Sequence, residues 1–416
     1  MPRNMLSLLA GAALMMTTPL TATTVFQASS SAQIISLLRT ITQPADIVLA
    51  PGNYGMLNLQ NINPAAPVRI RSADANRRAV FTDMVIRDSS RLRFEAIEVR
   101  HILQPGEGNT TAGAVVRGGR DIHFVSCTFT GSVNNDPNDD GLMLRFMRTT
   151  GGLVMNSSFR EARMALLIDD VSAFTFASNR VSVAREGLNL TGVRGVVIDA
   201  NHFSDIRPNL ALGDHSDAIQ VYAGAIPMAS RHITVSNNAM KLTSHQAQGF
   251  FVRNETGDPA FNHSDITVIN NLYFGTMRSA FSLANVDRGL IARNTAVSSP
   301  DVVHEPGILA RNSTGITIER NIAPHFLNIA STPTMRNNVD LADVRNPGGA
   351  SPAAQFVGNI GISLTRVEDF NVRSGSQSAG LGAGFTPVRN IGSVPLAEVD
   401  ARYRERLTEL SRLSRL

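Results

Sequence analysis

Cysteine is almost absent: Cys127 is the only one in 416 residues, so no internal disulfide can staple the chain and a small disulfide-framed domain is excluded. Tryptophan is missing altogether, and charged residues make up only 17% of the sequence, against a usual value of ~25%. The surface must therefore rest on Asn, Ser, Thr, Gly and Gln. Walker loops, dinucleotide fingerprints, zincin motifs, EF-hand loops and the G-x-S-x-G elbow are also missing, which removes the commonest nucleotide, metal and serine-nucleophile classes. What is present is 43% hydrophobic residues, enough for a large core, and a formal net charge of +4 carried almost wholly by Arg. That excess favours an anionic ligand and is too small for a nucleic-acid binder.

The longest apolar run at the start, residues 5–16, follows Arg3 and precedes small residues around Ala22. It fits a signal peptide spanning residues 1–24 and is too short for stable membrane insertion. The expectation is an exported protein, periplasmic or secreted.

A repeat carries most of the information. Short apolar strands end in a small polar residue at Cys127, Ser157, Asn179, Asn201, Asn238, Asn271, Asn294 and Asn321, at intervals of 30, 22, 22, 37, 33, 23 and 27 residues. A unit near 22 residues, built of short alternating strands without a helical period, predicts an all-β, right-handed parallel β-helix of about ten coils. The recurring Asn fits a sharp turn, where it tolerates left-handed backbone and its amide can bond the neighbouring coil.

A second strand column begins at Asp140, Met164, Glu186, Asp217, Gln248, Ser279 and Pro306, with Gly or Ala in second place each time. Its third and fifth places are almost all apolar, for example Leu188 and Leu190, Ile219 and Val221, Phe250 and Val252, and should face the core. Its fourth and sixth places, Asn189 and Thr191, Gln220 and Tyr222, Phe251 and Arg253, Ser282 and Ala284, should face solvent and floor an elongated trough. The longest loop between the two columns runs to Ser216, just before Asp217, where binding and catalytic residues are expected.

The expected organisation is a leader over 1–24, an N-terminal cap with a short helix and the first strand over 25–50, and a β-helix over 51–345. A tail over 346–416 then ends in an amphipathic capping or docking helix marked by Leu396, Val399, Tyr403, Leu407 and Leu410. A monomer is expected, with a homotrimer as the alternative.

The stretch DIVLAPGNYG, the coil repeats and the Asn column resemble right-handed parallel β-helix proteins of the pectate-lyase type over roughly residues 45–340. The segment GDHSDAIQVY, Gly213 to Tyr222, resembles the strand motif of alginate-active lyases and mannuronan C5-epimerases, in which a carboxylate and an imidazole act at C5 of a uronic acid. The resemblance implies a polysaccharide lyase that cleaves a uronic-acid polymer by β-elimination. C5-epimerisation, hydrolysis of an acidic glycan and non-catalytic glycan binding, as in tailspikes, are the alternatives.

Elimination needs a base at C5, a group that neutralises the adjoining carboxylate, and an acid at O4. His215 is the candidate base and His245 its alternative; Tyr222 is the candidate acid, and Arg253 or Arg185 the carboxylate ligand. Asp217 or Asp214 would orient His215. Gln220, Asn189, Asp214 and Arg253 are the expected substrate-binding residues. Asp214 with Asp217, or Asp140 with Asp217, would be a glycosidase pair. Asp136, Asp139 and Asp140 offer oxygen ligands for calcium, the one cofactor considered.

Overall fold

The computed structural model describes residues 23–224, 226–243, 245–300, 304–344, 346–360 and 366–416. Most of the expected leader falls outside them, and Thr24 already opens the first strand, Thr24–Ala28. Among the described residues, no helix is long and apolar enough to cross a membrane.

Each coil of the chain contributes up to three strands, and every strand pairs in parallel with its counterpart one coil away. The result is a right-handed parallel β-helix. The first face contains thirteen strands, among them Ser172–Ala177, Arg194–Asp199 and Arg231–Ser236, so the solenoid is longer than the ten coils expected. The irregular early coils, which lack the Asn signature, supply the difference. The second face is built from short strands such as His202–Ser204, Ala239–Leu242 and Leu272–Gly275. The third contains Leu142–Met147, Asp217–Ala223, Gln248–Asn254 and Ser279–Ala284. In four coils the second and third strands merge into one: Gly52–Gln60, Ala79–Arg87, Ser158–Asp169 and Arg180–Thr191.

The corner between first and second faces explains the repeated Asn. Asn201 Oδ1 accepts from the backbone N–H of Asn179 at 2.8 Å, while its amide donates to Phe176 O and Asn238 Oδ1, both at 2.9 Å. The same pattern runs through Asn238, Asn271, Asn294 and Asn321 to Asn338. The left-handed residue is the one before, Ala200 at φ 55° or Asn237 at φ 58°. Amide bonding between coils, and not tolerance of positive φ, is therefore what selects Asn at the ladder position.

Two-residue alternation sends Leu188, Leu190, Ile219, Val221, Phe250 and Val252 into the core, where each is fully buried. Phe129 and Phe159 stack there on successive coils, with centroids 4.7 Å apart and planes 4° from parallel. At the first strand of the second column the register differs from expectation. Leu142 pairs with Met164, so the segment beginning at Asp140 is shifted by two residues. A shift of two preserves the face of every side chain, and Leu142 and Leu144 remain buried.

The helix Ser31–Thr40 follows the first strand and closes one end of the core with Ile34 and Leu38; its first turn is capped by Ser30, which accepts from Gln33 N. The C-terminal helix, Val399–Leu413, instead lies along the side of the solenoid. Val399, Leu410 and Leu413 pack on Leu153, Met155, Ala177 and Val197 of the first face. The preceding segment brings Phe356, Phe370 and Phe385 against Leu272, Phe274 and Val297 of the second face. Both coverings leave the third face open.

Candidate functional site

The open third face is overhung by the loop that joins His202–Ser204 to Asp217–Ala223. Its first half leans on the loop below: Arg207 donates to Asn135 O at 2.7 Å and Asn209 Nδ2 to Asn138 Oδ1 at 3.2 Å. The second half turns at Gly213, at φ 74°, a left-handed conformation that glycine adopts without a Cβ penalty. Asp214 then accepts from Asn209 N at 2.7 Å and is clamped through both carboxylate oxygens by Arg185. Asp214 lies below the usual carboxylate range: burial opposes its ionisation, and the hydrogen bonds from Arg185 and Asn209 N together with the charges of Arg185 and Arg163 outweigh it.

The residues expected in one cluster occupy two ends of a strand. Five steps separate Asp217 from Tyr222, about 17 Å at ~3.3 Å per residue. His215, Asp214 and Arg185 gather at the leading end; Tyr222 and Arg253, paired in register on adjacent coils, stand at the trailing end, with Gln220 between. Tyr222 and Gln220 are half-buried and Arg253 is exposed. Asn189, expected to face the substrate, is 8% exposed and Thr191 fully buried; Ser282 and Ala284 are likewise buried. These short side chains sit below larger neighbours, and the trough floor narrows to Gln220, Tyr222, Phe251 and Arg253.

Neither aspartate orients His215. Asp214 is engaged by Arg185, and Asp217 is fully buried with no hydrogen-bond partner on either carboxylate oxygen. His215 itself is exposed and makes no hydrogen bond among the described residues. The same facts remove the glycosidase pairs. Asp217 and Asp140 are both enclosed and Asp214 is ion-paired, so no two of them present free carboxyls to one sugar.

His245 belongs to a separate cleft of 480 Å³, lined by His202, Ser204, Asp205, Arg207, Lys241 and Thr243. Its Nε2 lies 3.4 Å from Asp205 Oδ1. Burial, then Arg180 and Lys241, hold His202 down to about 4, which keeps that imidazole neutral.

The acidic loop does not fit calcium. Asp136 accepts from Asn138 N, Asp139 from Asn134 Nδ2, and Asp140 Oδ1 from Ser132 N. Asp140 is fully buried, with its carboxyl pushed up to about 6 by burial, and among the described residues no three acidic, His or Cys side chains gather to hold a metal.

One residue was missed by the sequence reading. Glu186 begins its strand one coil before Asp217, and Asp217 N donates to its Oε2 at 3.2 Å. The residue is half-buried at the leading end and follows Arg185 in the strand. Burial first, then Asp214, raise it to about 8; Asp217 is raised well above the carboxylate range by burial, then by Glu186 and Glu255. A signal was available. Glu186 and Asp217 share the two-residue phase of the core-facing Leu188 and Ile219, so successive coils put an acid where an apolar residue belongs.

No protein-family model matches this sequence, and no curated protein matches it. Among solved structures, the chain is similar to a pectate lyase from Bacillus sp. N165 in complex with trigalacturonate, at 13% identity over 89% of this chain and 94% of that one, TM-score 0.35. It is similar to a mannuronic-acid-specific polysaccharide family 6 lyase from human gut microbiota, at 13% identity over 92% and 94%, TM-score 0.40. A third, the alginate lyase AlyF-OU02 in complex with G6, shows 12% identity over 88% and 96%, TM-score 0.45. At these values the likeness says nothing about the role of any residue.

Proposed function

We propose that the protein is a polysaccharide lyase that cleaves a uronic-acid polymer by β-elimination at the leading end of the open face. The observation that carries the reading is the gathering there of an exposed imidazole, His215, next to an arginine fixed by Asp214, on the one face that the chain leaves uncovered. His215 takes the proton from C5, the electron pair forms the C4–C5 double bond, and the C4–O4 bond breaks. Arg185 stabilises the charge that develops on the uronate carboxylate, its position preset by the Asp214 clamp. Tyr222 and Arg253, at the trailing end, bind the polymer alongside the reacting sugar. The net charge of +4 suits an acidic chain. The apolar leader supports action outside the cytoplasm, periplasmic or secreted.

The test is incubation with alginate, polygalacturonate, glucuronan and hyaluronan, read by the ultraviolet absorbance of unsaturated ends and by proton NMR. Unsaturated ends on at least one polymer are expected. Changed C5 configuration without new ends would replace the lyase by an epimerase, which begins with the same proton. Saturated reducing ends would make it a hydrolase, and no chemistry would leave a binding protein.

A further inference from the structure

The lyase reading names a base and a carboxylate ligand and leaves the leaving oxygen without an acid, because Tyr222 stands about 17 Å along the strand from Asp217. The leading end contains one group that can serve. Glu186 follows Arg185 in the chain, is half-buried, and accepts a backbone hydrogen bond from Asp217. Directly above it in the stack, the Asp217 carboxyl is fully enclosed, and neither of its oxygens has a partner. An isolated carboxylate in such a place costs several kcal/mol on the order of magnitude expected for a desolvated ion, so the enclosed group keeps a proton. The groups facing the pair are Arg163 on the strand below, Arg185 on the same strand, Asp214 from the loop, and Glu255 beyond Asp217. Both arginines favour ionisation of Glu186, and Arg185 shares its charge with Asp214.

We propose that Glu186 is the proton donor to the departing O4, with Asp217 of the next coil, whose backbone N–H holds the Glu186 carboxyl, as its positioning residue. The assignment rests on the lyase reading. As the C4–O4 bond breaks, the oxygen takes the Glu186 proton and Glu186 becomes a carboxylate, while His215 holds the proton removed from C5. Exchange with water returns both groups to their starting states, so the step balances without a metal or other co-reactant. Burial, with the Asp214 carboxylate nearby, keeps Glu186 protonated at neutral pH, which is consistent with that duty.

The experiment uses whichever polymer the wild-type protein cleaves, together with a uronoside carrying a nitrophenyl group on O4, which leaves without a proton. Glu186→Gln should lower kcat on the polymer ~100-fold or more with KM little changed, and should restore most of the rate on the nitrophenyl substrate. In the wild type, polymer turnover should fall on an alkaline limb near pH 8; Asp217→Asn, which exchanges one neutral group for another, should leave that limb and acid-side kcat in place, and a limb displaced to lower pH would overturn the protonated Asp217 beside Glu186. Undiminished kcat in Glu186→Gln overturns the assignment, as does an equal loss on both substrates, which would mean a structural role. Either result leaves the lyase reading intact. A wild-type protein that produces no unsaturated ends from any polymer removes the reading and the assignment together.

Discussion

Asp217 places a carboxyl where water does not reach, one coil from a second acid, and the consequence is measurable in stability as well as catalysis. In the folded protein Asp217 and Glu186 hold protons that the unfolded chain releases in the ordinary carboxylate range. Between that range and about pH 8, where Glu186 ionises, the folded state therefore binds more protons than the unfolded state. Stability is fully expressed on the acid side of this window and falls as pH rises through it, at up to about 1.4 kcal/mol per pH unit for each retained proton. Asp217→Asn removes one of those protons from the balance. Urea denaturation at several pH values should show a shallower decline for the variant than for the wild type, and higher stability at neutral pH. Parallel curves would mean that Asp217 is ionised in the folded protein.

The ladder at the first corner is the element that makes the coils stack, and its members are not interchangeable with other small residues. Asn201→Ala would strand the Asn179 backbone N–H and Phe176 carbonyl in the core and break the amide link to Asn238. At ~1–3 kcal/mol per orphaned buried group, the loss should total about 2–4 kcal/mol in urea denaturation; less than ~1 kcal/mol would contradict the ladder as a stabilising element. This element was readable from sequence because each coil needs the same group at the same corner. The intervals of 22, 37 and 33 residues between Asn179, Asn201, Asn238 and Asn271 survive insertions elsewhere in the coil. The C-terminal helix was readable as amphipathic, whereas its docking partner was not. Val399 and Leu410 meet Leu153 and Val197 some two hundred residues away, and no local period encodes that meeting. His123 belongs to the same contact, its Nδ1 lying 2.7 Å from the Tyr403 hydroxyl, and burial keeps it neutral down to about pH 4.

Over the whole molecule, function follows from which surface the chain leaves uncovered. Two faces of the solenoid are occupied by the protein's own C-terminal residues, and the third carries the long loop with His215. Strand alternation predicted the direction of Gln220, Tyr222 and Arg253 correctly, because it depends only on the two-residue period. It could not show that His215 and Tyr222 belong to opposite ends of a strand, since a list of motif residues conceals the length of extended chain between them. Nor could it show that Asp214 would turn to Arg185 and leave His215 without an aspartate, because that choice is made by a loop folding back on a strand 29 residues earlier.

The central claim is that proton abstraction takes place at the leading end of the open face, by His215. Its most direct test is the steady-state rate of His215→Ala beside His245→Ala, measured as unsaturated ends formed from the polymer that the wild-type protein cleaves. The account predicts a fall of ~100-fold or more in kcat for His215→Ala, with thermal unfolding unchanged because the residue is exposed and unbonded, and near-normal turnover for His245→Ala. Full activity in His215→Ala together with collapse in His245→Ala would contradict it and move the chemistry to the cleft that contains Asp205, Arg207 and Lys241.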